Sequence, residues 1–276
     1  MPELPEVETV KRGLSPFLEK RRIISVTKTR TDLRKPIPLS LEEALIGKRV
    51  LKLDRRGKYL LWHTEDRMVI ILHLGMSGRV VVTKNLPKII NVHDHLTFQT
   101  EDGFFIRYND PRRFGFVDVV SLDNLSKYPS LAFLGLEPLS NEFNAPSLRQ
   151  KIIKKQSPIK SVLLDQSIIA GLGNIYVCEA LHRAGISPRR KARNISEKKI
   201  EDLVISIQVV LKEAINAGGS SLKDHVQTTG EMGYFQHQFR VYSREGKECI
   251  KKYCTGKIRR IIQSGRSTFF CNKCQR

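Results

Sequence analysis

The strongest constraint on the fold is a change in hydrophobic period about half-way along the chain. Between residues 22 and 120 the apolar residues come in short runs separated by turn residues, which is typical of β-strands. From about residue 147 they recur at helical spacing. A short helix is also predicted over residues 5–18, with Pro5 at its first position and Val7, Val10 and Leu14 on one face. The pattern predicts an α+β chain in which a leading helix and a β-sandwich or barrel precede a helical region.

The individual elements can be read from these runs. Eight runs are predicted as strands: IISVTKTR, KRVLKLD, YLLWHT, MVIILHLG, GRVVVT, HLTFQT, GFFIRYN and FGFVDVV. Four later segments are predicted as helices: PSLRQKIIKK, PIKSVLLDQ, NIYVCEALHRAG and SEKKIEDLVISIQVVLKEAINAGG. In the last of these, Ser196 is a suitable N-cap and Gly218 a suitable end. A stretch rich in Ser, Asn, Pro and Leu separates strands from helices and predicts a linker.

The charge balance indicates the kind of partner. Lys and Arg outnumber Asp and Glu by 48 to 28, which leaves a formal net charge of +20 on 276 residues. Such an excess favours nucleic acid or an anionic membrane surface. The membrane alternative is weak, because no apolar run approaches the ~20 residues that span a bilayer and the start of the chain lacks a signal-peptide layout. A cytoplasmic protein is expected, in which five cysteines stay reduced.

Four of the cysteines form a metal-binding pattern near the end of the chain. Cys249, Cys254, Cys271 and Cys274 make two close pairs, and four thiolates brought together by a hairpin satisfy tetrahedral zinc. The alternative is a chance cluster of unrelated cysteines. Cys178 lies within a helical pattern and is predicted to be a buried apolar residue.

The segment that carries these cysteines is strongly basic. Residues 236–276 hold eleven Lys and Arg residues against Glu245 and Glu248, which accounts for +9 of the net charge. A basic hairpin held by one zinc ion suits contacts with phosphates, and such binding weakens steeply with salt. A merely solvated charged surface is the alternative.

Several motifs, taken together and in order, resemble the bacterial formamidopyrimidine-DNA glycosylase family. They are MPELPEVETV, LHLGMSGR, YNDPRRFG, GLGNIY and the ending GRSTFFCNKCQR. The resemblance implies an N-terminal β-sandwich with a leading helix, then a helix–two-turn–helix domain with a C-terminal β-hairpin zinc finger, with DNA in the cleft between the domains. The implied boundaries are 1–125 for the catalytic β-sandwich, 126–146 for a linker, 147–235 for the helical domain and 236–276 for the zinc finger. The implied partner is double-stranded DNA containing oxidised bases, bound by a nucleoid-associated monomer.

The resemblance also implies a reaction. Family members excise oxidised purines such as 8-oxoguanine and formamidopyrimidines, then cut the strand by β,δ-elimination. The implied nucleophile is Pro2, once Met1 is removed. An α-amino group titrates near ~8, so a useful fraction is neutral and nucleophilic at pH 7. Glu3 is the implied acid/base group, and Lys58 and Arg266 belong to the catalytic set.

Two further glutamates follow in the same motif. Glu6 is expected to support the start of the first helix, where negative charge is favoured. Glu8 is expected at the surface, with Arg12 as its i,i+4 partner.

Base extrusion requires side chains that fill the vacated space in the duplex. The matching family set here is Met76, Arg112 and Phe114, with ordinary core packing as the alternative for the two apolar residues. Both lie in glycine-flanked turns, which favours exposed loop tips. Arg113 is a candidate for an ion pair with Asp110.

The remaining DNA contacts are also carried over by motif. Lys58, His73, Asn174 and Arg266 match backbone-contacting positions, and a buried satisfied histidine is the alternative for His73. Tyr176 joins these positions, and Lys160 matches a lysine near the lesion. A flexible loop over the flipped base is expected at 227–235, with Thr228, Thr229 and Tyr234 as candidates. The family's first zinc pair is usually CxxC, so the four residues between Cys249 and Cys254 put Cys249 in question.

The sequence leaves two other functions as alternatives. The endonuclease VIII type shares the N-terminal proline but prefers oxidised pyrimidines, whereas MPELPEVE and the Met–Arg–Phe set favour the purine enzyme. A non-catalytic zinc-finger protein that binds damaged DNA without cutting it is the alternative of a different class.

Overall fold

The computed structural model describes residues 2–85, 91–220 and 233–276. The chain divides into two compact units. The described residues of the first lie within Met1–Ala132 and Ala217–Tyr234, and those of the second within Phe133–Asn216 and Phe235–Arg276. In these described ranges, each helix is too short or too polar to cross a membrane.

Among its described residues, the first unit contains three helices and eight strands. The helices are α1 (Leu4–Leu18), α2 (Leu41–Leu45) and the short α3 (Pro129–Ala132), which follows the last strand. The strands are β1 (Ile23–Lys28), β2 (Val50–Arg56), β3 (Tyr59–Thr64), β4 (Met68–His73), β5 (Arg79–Thr83), β6 (Asp94–Thr100), β7 (Phe105–Asn109) and β8 (Phe116–Ser121). All eight predicted strands are confirmed, whereas α2 lies between two of them in a segment for which no element was predicted.

The strands form two antiparallel four-stranded sheets, in the orders β1-β6-β7-β5 and β2-β3-β4-β8. Side chains from both sheets share one core, in which Trp62 on β3 meets Phe98 on β6 with ring centroids 5.0 Å apart. Val7, Val10 and Leu14 of α1 join this core, as their helical spacing predicts. The unit is therefore a β-sandwich with a leading helix.

Helix α1 begins one residue earlier than predicted. Glu3 is its N-cap with extended backbone, and Pro5 occupies the second helical position rather than the first. Pro5 is tolerated there because backbone N–H groups in the first turn have no partner within the helix.

The second unit is helical and ends in a hairpin. Its helices are α4 (Ala145–Ile152), α5 (Ile159–Leu164), α6 (Asn174–Ala184) and α7 (Glu197–Asn216), and its strands are β9 (Ile258–Gln263) and β10 (Arg266–Cys271). The four predicted helices are confirmed. The predicted linker at 126–146 has local structure, because the end of a 3₁₀ turn at Leu122–Lys127 and the short α3 (Pro129–Ala132) lie in its first part.

A buried carboxylate connects α6 to the segment that leads into the hairpin. Glu179 is fully buried, and its oxygens accept the backbone N–H groups of Arg240, Val241 and Tyr242 at 2.9–3.1 Å. Hydrogen bonds to a carboxylate contribute more than neutral ones, so this contact fixes the irregular segment against the helix. The predicted burial of Cys178, one residue earlier, is confirmed.

Candidate active site and metal centre

The start of α1 places two buried carboxylates beside Pro2. Pro2, Glu3 and Glu6 are all buried. Glu6 Oε2 accepts the backbone N–H of Glu3 at 2.8 Å, while its Oε1 accepts both the N–H and the hydroxyl of Ser220 at 2.9 Å. Glu6 therefore supports the backbone at the head of the helix, and Glu3 is the acidic residue next to Pro2.

Glu8 is not at the surface, and that prediction is wrong. Its side chain forms ion pairs with Lys11 at 3.0 Å, Arg12 at 3.1 Å and Arg55 of β2 at 2.9 Å, of which the Arg12 pair was predicted. Burial raises the pKa of Glu8, but hydrogen bonds from Lys11 and Arg55 outweigh it, and the pKa lies below its ordinary value. Arg55 also donates to the carbonyl of Gly57 at 3.1 Å, so Glu8 connects α1 to the turn before Lys58.

Lys58 and His73 lie at neighbouring strand ends. In the sheet register His73 is opposite Tyr59 on one side and Phe116 on the other, and its ring stacks on Phe116 with centroids 5.5 Å apart. Its Nδ1 accepts the N–H of Gly75 at 3.0 Å. Burial, with the charges of Lys58 and Arg34, lowers the pKa of His73 to about 4. The ring is therefore neutral at pH 7 and carries its proton on Nε2, which can donate to a phosphate oxygen.

The predicted void-filling residues lie on two adjoining loops. Phe114 is 44% exposed, which excludes core packing for it, and the Arg112 guanidinium lies over its ring at 4.9 Å. Met76 is half-buried on the other loop. Gly75 has φ +61°, and a Cβ there would collide with the backbone of Phe114 and Gly115. The close approach of the two loops therefore requires glycine at this position.

Asp110 holds these two loops together and was not predicted to do so. Its buried carboxylate accepts the Ser77 hydroxyl at 2.6 Å, the Gly115 N–H at 2.8 Å and the Tyr108 hydroxyl at 3.1 Å. The predicted ion pair with Arg113 is wrong: no ion pair among the described residues joins the two, and the exposed Arg113 donates only its backbone N–H to the Asp110 carbonyl.

The second unit gathers three predicted DNA contacts around the start of β10. The Asn174 amide, at the first position of α6, donates to the Ser267 carbonyl at 2.9 Å. The Lys160 ammonium donates to the same carbonyl at 3.3 Å and to the Thr268 hydroxyl at 2.7 Å. Arg266 precedes Ser267 in the strand and is exposed. Asn174 and Lys160 thus support the backbone beside Arg266.

The other predicted contacts differ in their surroundings. Lys160 and the Tyr176 ring are fully buried, and Tyr176 packs against Phe235 with centroids 5.7 Å apart. A direct contact of either with DNA stays a prediction. Thr228 and Thr229 of the expected lesion loop lie outside the described residues. Tyr234 is described and is 62% exposed.

All four cysteines of the tail meet. The Sγ atoms of Cys249, Cys254, Cys271 and Cys274 lie within 4.8 Å of one another, with Cys249–Cys274 at 3.8 Å and Cys254–Cys271 at 3.6 Å. Zn–S bonds of about 2.3 Å in a tetrahedron separate the sulfurs by about 3.8 Å. Cys249 therefore belongs to the cluster despite its wide spacing, and the donor set can hold a metal ion such as zinc.

The residues missed by sequence reasoning share one signal. Asp110, Glu179 and His182 are polar residues that are almost wholly buried. Glu179 and His182 stand in an otherwise apolar helical pattern, where a polar side chain needs a buried partner. The sequence therefore indicates that a buried partner exists but does not identify which residue it is.

Comparison with known proteins places this geometry in a family. Residues 1–117 match the Formamidopyrimidine-DNA glycosylase N-terminal domain, and residues 134–226 match the Formamidopyrimidine-DNA glycosylase H2TH domain. The chain is 52% identical to Formamidopyrimidine-DNA glycosylase from Paracoccus denitrificans and 49% identical to that from Dinoroseobacter shibae, each over 100% of both chains.

Solved structures agree with these matches. A Lactococcus lactis FPG mutant in complex with Fapy-dG-containing DNA superposes with a TM-score of 0.90 at 36% identity, over 100% of both chains. A MutM complex with carbocyclic 8-oxo-G containing DNA gives 0.88 at 38% identity, also over 100% of both. MutM from Thermus thermophilus gives 0.85 at 36%, over 99% of this chain and 98% of that one. With its sandwich, its two-turn helical unit and its cysteine cluster, this chain belongs to the formamidopyrimidine-DNA glycosylase family.

Proposed function

We propose that this DNA glycosylase excises oxidised purines, such as 8-oxoguanine and formamidopyrimidines, through an iminium formed on Pro2, and then cuts the strand by β,δ-elimination. The observation that carries the proposal is the head of α1, where Pro2 adjoins the buried Glu3 and Glu6 fixes the Glu3 backbone. A nucleophile needs a neighbouring group that transfers protons. That group must be held in place, because a mobile group would lose its alignment with the reacting atoms.

The chemistry begins with the neutral Pro2 amine, after removal of Met1. Its lone pair forms a bond to the sugar C1′ while the bond from C1′ to the base breaks. The base leaves with that electron pair and takes up the proton that the Pro2 nitrogen gives up. Glu3 supplies a proton to the sugar ring oxygen, and opening of the ring yields the iminium. The iminium acidifies C2′, so loss of a C2′ proton expels the 3′ phosphate, and a second elimination expels the 5′ phosphate.

Substrate class is inferred from the relatives. The Lactococcus lactis and MutM complexes described above contain Fapy-dG and 8-oxo-G, both oxidised purines. Full-length relatives at about 50% identity that bear the glycosylase name support the same chemistry in this chain.

Access of the amine to C1′ requires extrusion of the damaged nucleotide, which costs a few kcal/mol of stacking and pairing. Met76 and the exposed Phe114 replace part of that stacking, and the Arg112 guanidinium hydrogen-bonds the orphaned base. The contact of Arg112 with the Phe114 ring keeps both side chains on one loop tip.

Contacts to the DNA backbone come from groups that donate hydrogen bonds or carry positive charge. In the first unit these contacts come from Lys58 and the Nε2–H of His73. In the second unit they come from Asn174 and Arg266. The buried Lys160 acts mainly by holding the Ser267 carbonyl beside Arg266. Tyr176 lies in the first turn of α6, two residues after Asn174, and is a further candidate for a backbone contact.

The four cysteine thiolates hold one structural zinc ion in this proposal. Bound by these residues, the ion would join the Cys249–Cys254 loop to the end of β10 and so stabilise the hairpin that carries Arg266. Metal analysis of the purified protein tests this part, with one equivalent of zinc expected.

Covalent trapping with borohydride tests the reaction. We expect the full chain lacking Met1 to crosslink to a duplex containing 8-oxoguanine, because borohydride reduces the iminium to a stable amine. Pro2→Gly should trap and cleave roughly 100-fold more slowly, because it loses the secondary amine. Equal trapping by Pro2→Gly, or no crosslink in the parent protein, would refute the mechanism.

A second duplex containing thymine glycol separates the two enzyme classes. Faster cleavage of the 8-oxoguanine duplex is expected. Faster cleavage of thymine glycol would assign the chain to oxidised pyrimidines, and binding of both duplexes without cleavage of either would indicate a non-catalytic DNA-binding protein.

A further inference from the structure

His182 contacts the cysteine cluster from outside it. It lies in the last turn of α6, is 1% exposed, and its Nε2 is 3.3 Å from the Sγ of Cys249. Its Nδ1 is buried and has no hydrogen-bond partner among residues 2–85, 91–220 and 233–276. Within those residues, the Cys249 sulfur is therefore the one polar atom that the ring contacts.

Cys249 is the ligand that most needs such a contact. It begins the wide loop to Cys254, in which Ile250 is 54% and Tyr253 89% exposed, and Tyr253 has φ +63°. An exposed loop with a left-handed residue packs little of itself against the protein. The Cys249 backbone N–H donates to the Gly256 carbonyl at 2.8 Å, a contact within the same cysteine-bearing segment. His182 instead attaches the sulfur to a helix.

The chemistry of a four-thiolate site gives the contact a purpose. Four thiolates around Zn²⁺ carry a net charge of −2, which is costly in a buried site. An N–H group aimed at one sulfur takes up part of that charge and orients the ligand, and loss of such outer contacts typically weakens metal binding about 10–100-fold. The tautomer with its proton on Nε2 supplies this donor.

We propose that His182 is a positioning residue of the metal site: its Nε2–H donates a hydrogen bond to the Cys249 thiolate, secures the wide Cys249–Cys254 loop to α6 and strengthens metal binding. The inference rests on the proposed zinc site. Cys178, one turn earlier on the same face of α6, packs in the same buried apolar cluster as Cys249, and such surroundings strengthen a hydrogen bond.

The first experiment measures zinc affinity of the full chain by competition with a chromophoric chelator. His182→Phe keeps ring volume and removes the donor, so its zinc dissociation constant should rise about 10–100-fold. His182→Gln restores an N–H donor and should recover part of the loss. His237→Gln is the matched control, because His237 is an exposed histidine outside the cysteine cluster and should leave affinity unchanged.

Two outcomes separate this inference from the zinc proposal. If the parent protein binds no zinc, the metal site itself is refuted. If the parent binds zinc and His182→Phe binds it equally tightly, only the role of His182 is refuted. Circular dichroism of both proteins shows whether the helices persist in the variant.

A measurement without substitution covers the case in which His182→Phe does not fold. The parent protein, labelled with ¹⁵N-histidine and loaded with ¹¹³Cd, should show a proton on His182 Nε2 with a through-hydrogen-bond coupling to cadmium. An Nε2 without a proton, or a proton without that coupling, would overturn the proposal.

Discussion

The three carboxylates at the start of the chain differ in their hydrogen-bond and ion-pair partners. Glu6 accepts three donors from Glu3 and Ser220, Glu8 is paired with three cations, and Glu3 adjoins Pro2. One short acidic stretch therefore combines Glu3, proposed as the acid/base group, with the two carboxylates that fix its helix. Their separate roles come from their partners, because the three side chains share the same chemistry.

Glu6→Gln should lower the free energy of unfolding by about 1–3 kcal/mol, because an amide cannot accept all three hydrogen bonds and leaves buried donors unsatisfied. Borohydride trapping should slow without vanishing, since Pro2 and Glu3 remain. Chemical denaturation measures the first effect. Glu201→Gln, at an exposed position of α7, is the control and should change stability by less than about 0.5 kcal/mol.

His73 should make stability depend on pH. Its folded pKa of about 4 lies below the ordinary value of 6.5, so protonation opposes folding. The contribution of the neutral His73 ring to the free energy of unfolding is complete above pH 6.5 and is lost as the pH falls towards 4. Between pH 7 and 4.5, the parent protein should lose roughly 2–3 kcal/mol more than His73→Gln, as measured by urea denaturation. Parallel pH profiles for the two proteins would contradict the assignment.

At the scale of elements, the loops after β4 and β7 act as one piece. Asp110 receives a hydrogen bond from Ser77 of one loop and from Gly115 of the other, and Gly75 permits their backbones to touch. The residues proposed to enter the duplex thus stand on a shared support. Loops that carry function are usually positioned by such a rigid scaffold.

Asp110→Asn should lower the free energy of unfolding by about 1–3 kcal/mol, because the NH₂ group of the amide would face one of the hydrogen-bond donors. The same substitution should slow cleavage of the 8-oxoguanine duplex. Ser77→Ala removes one partner of the same carboxylate. Since the two residues share a hydrogen bond, the double variant should lose less than the sum of the single losses. Additive losses in denaturation experiments would show that the two loops are independent.

At the scale of the whole molecule, we expect the excess of positive charge to dominate the affinity for DNA. A net charge of +20 produces an attractive field for a polyanion, and each neutralised phosphate adds to the salt dependence. The basic residues of the tail and the cation at Lys58 belong to different units of the chain. Affinity should therefore depend on both units.

Arg266→Gln should lower the slope of log affinity against log salt by about 1, since it removes one phosphate contact. Phe114→Ala is the matched control: it removes a stacking contact without charge, so it should weaken binding at every salt concentration and leave the slope unchanged. Titrations with a lesion-bearing duplex between about 50 and 200 mM salt make this comparison. Equal slopes for Arg266→Gln and the parent would place Arg266 away from phosphate.

Hydrophobic period and motif spacing were sufficient for the eight strands, the four helices of the second unit and the cysteine cluster, because these depend on local patterns along the chain. Contacts between distant residues were decided by the tertiary structure. Glu8 is buried because Arg55, 47 residues away, reaches it from β2, and His182 meets a cysteine 67 residues further on. A polar residue in an apolar pattern signals a buried partner, but only packing determines which partner arrives, since hydrogen bonds depend on positions in space.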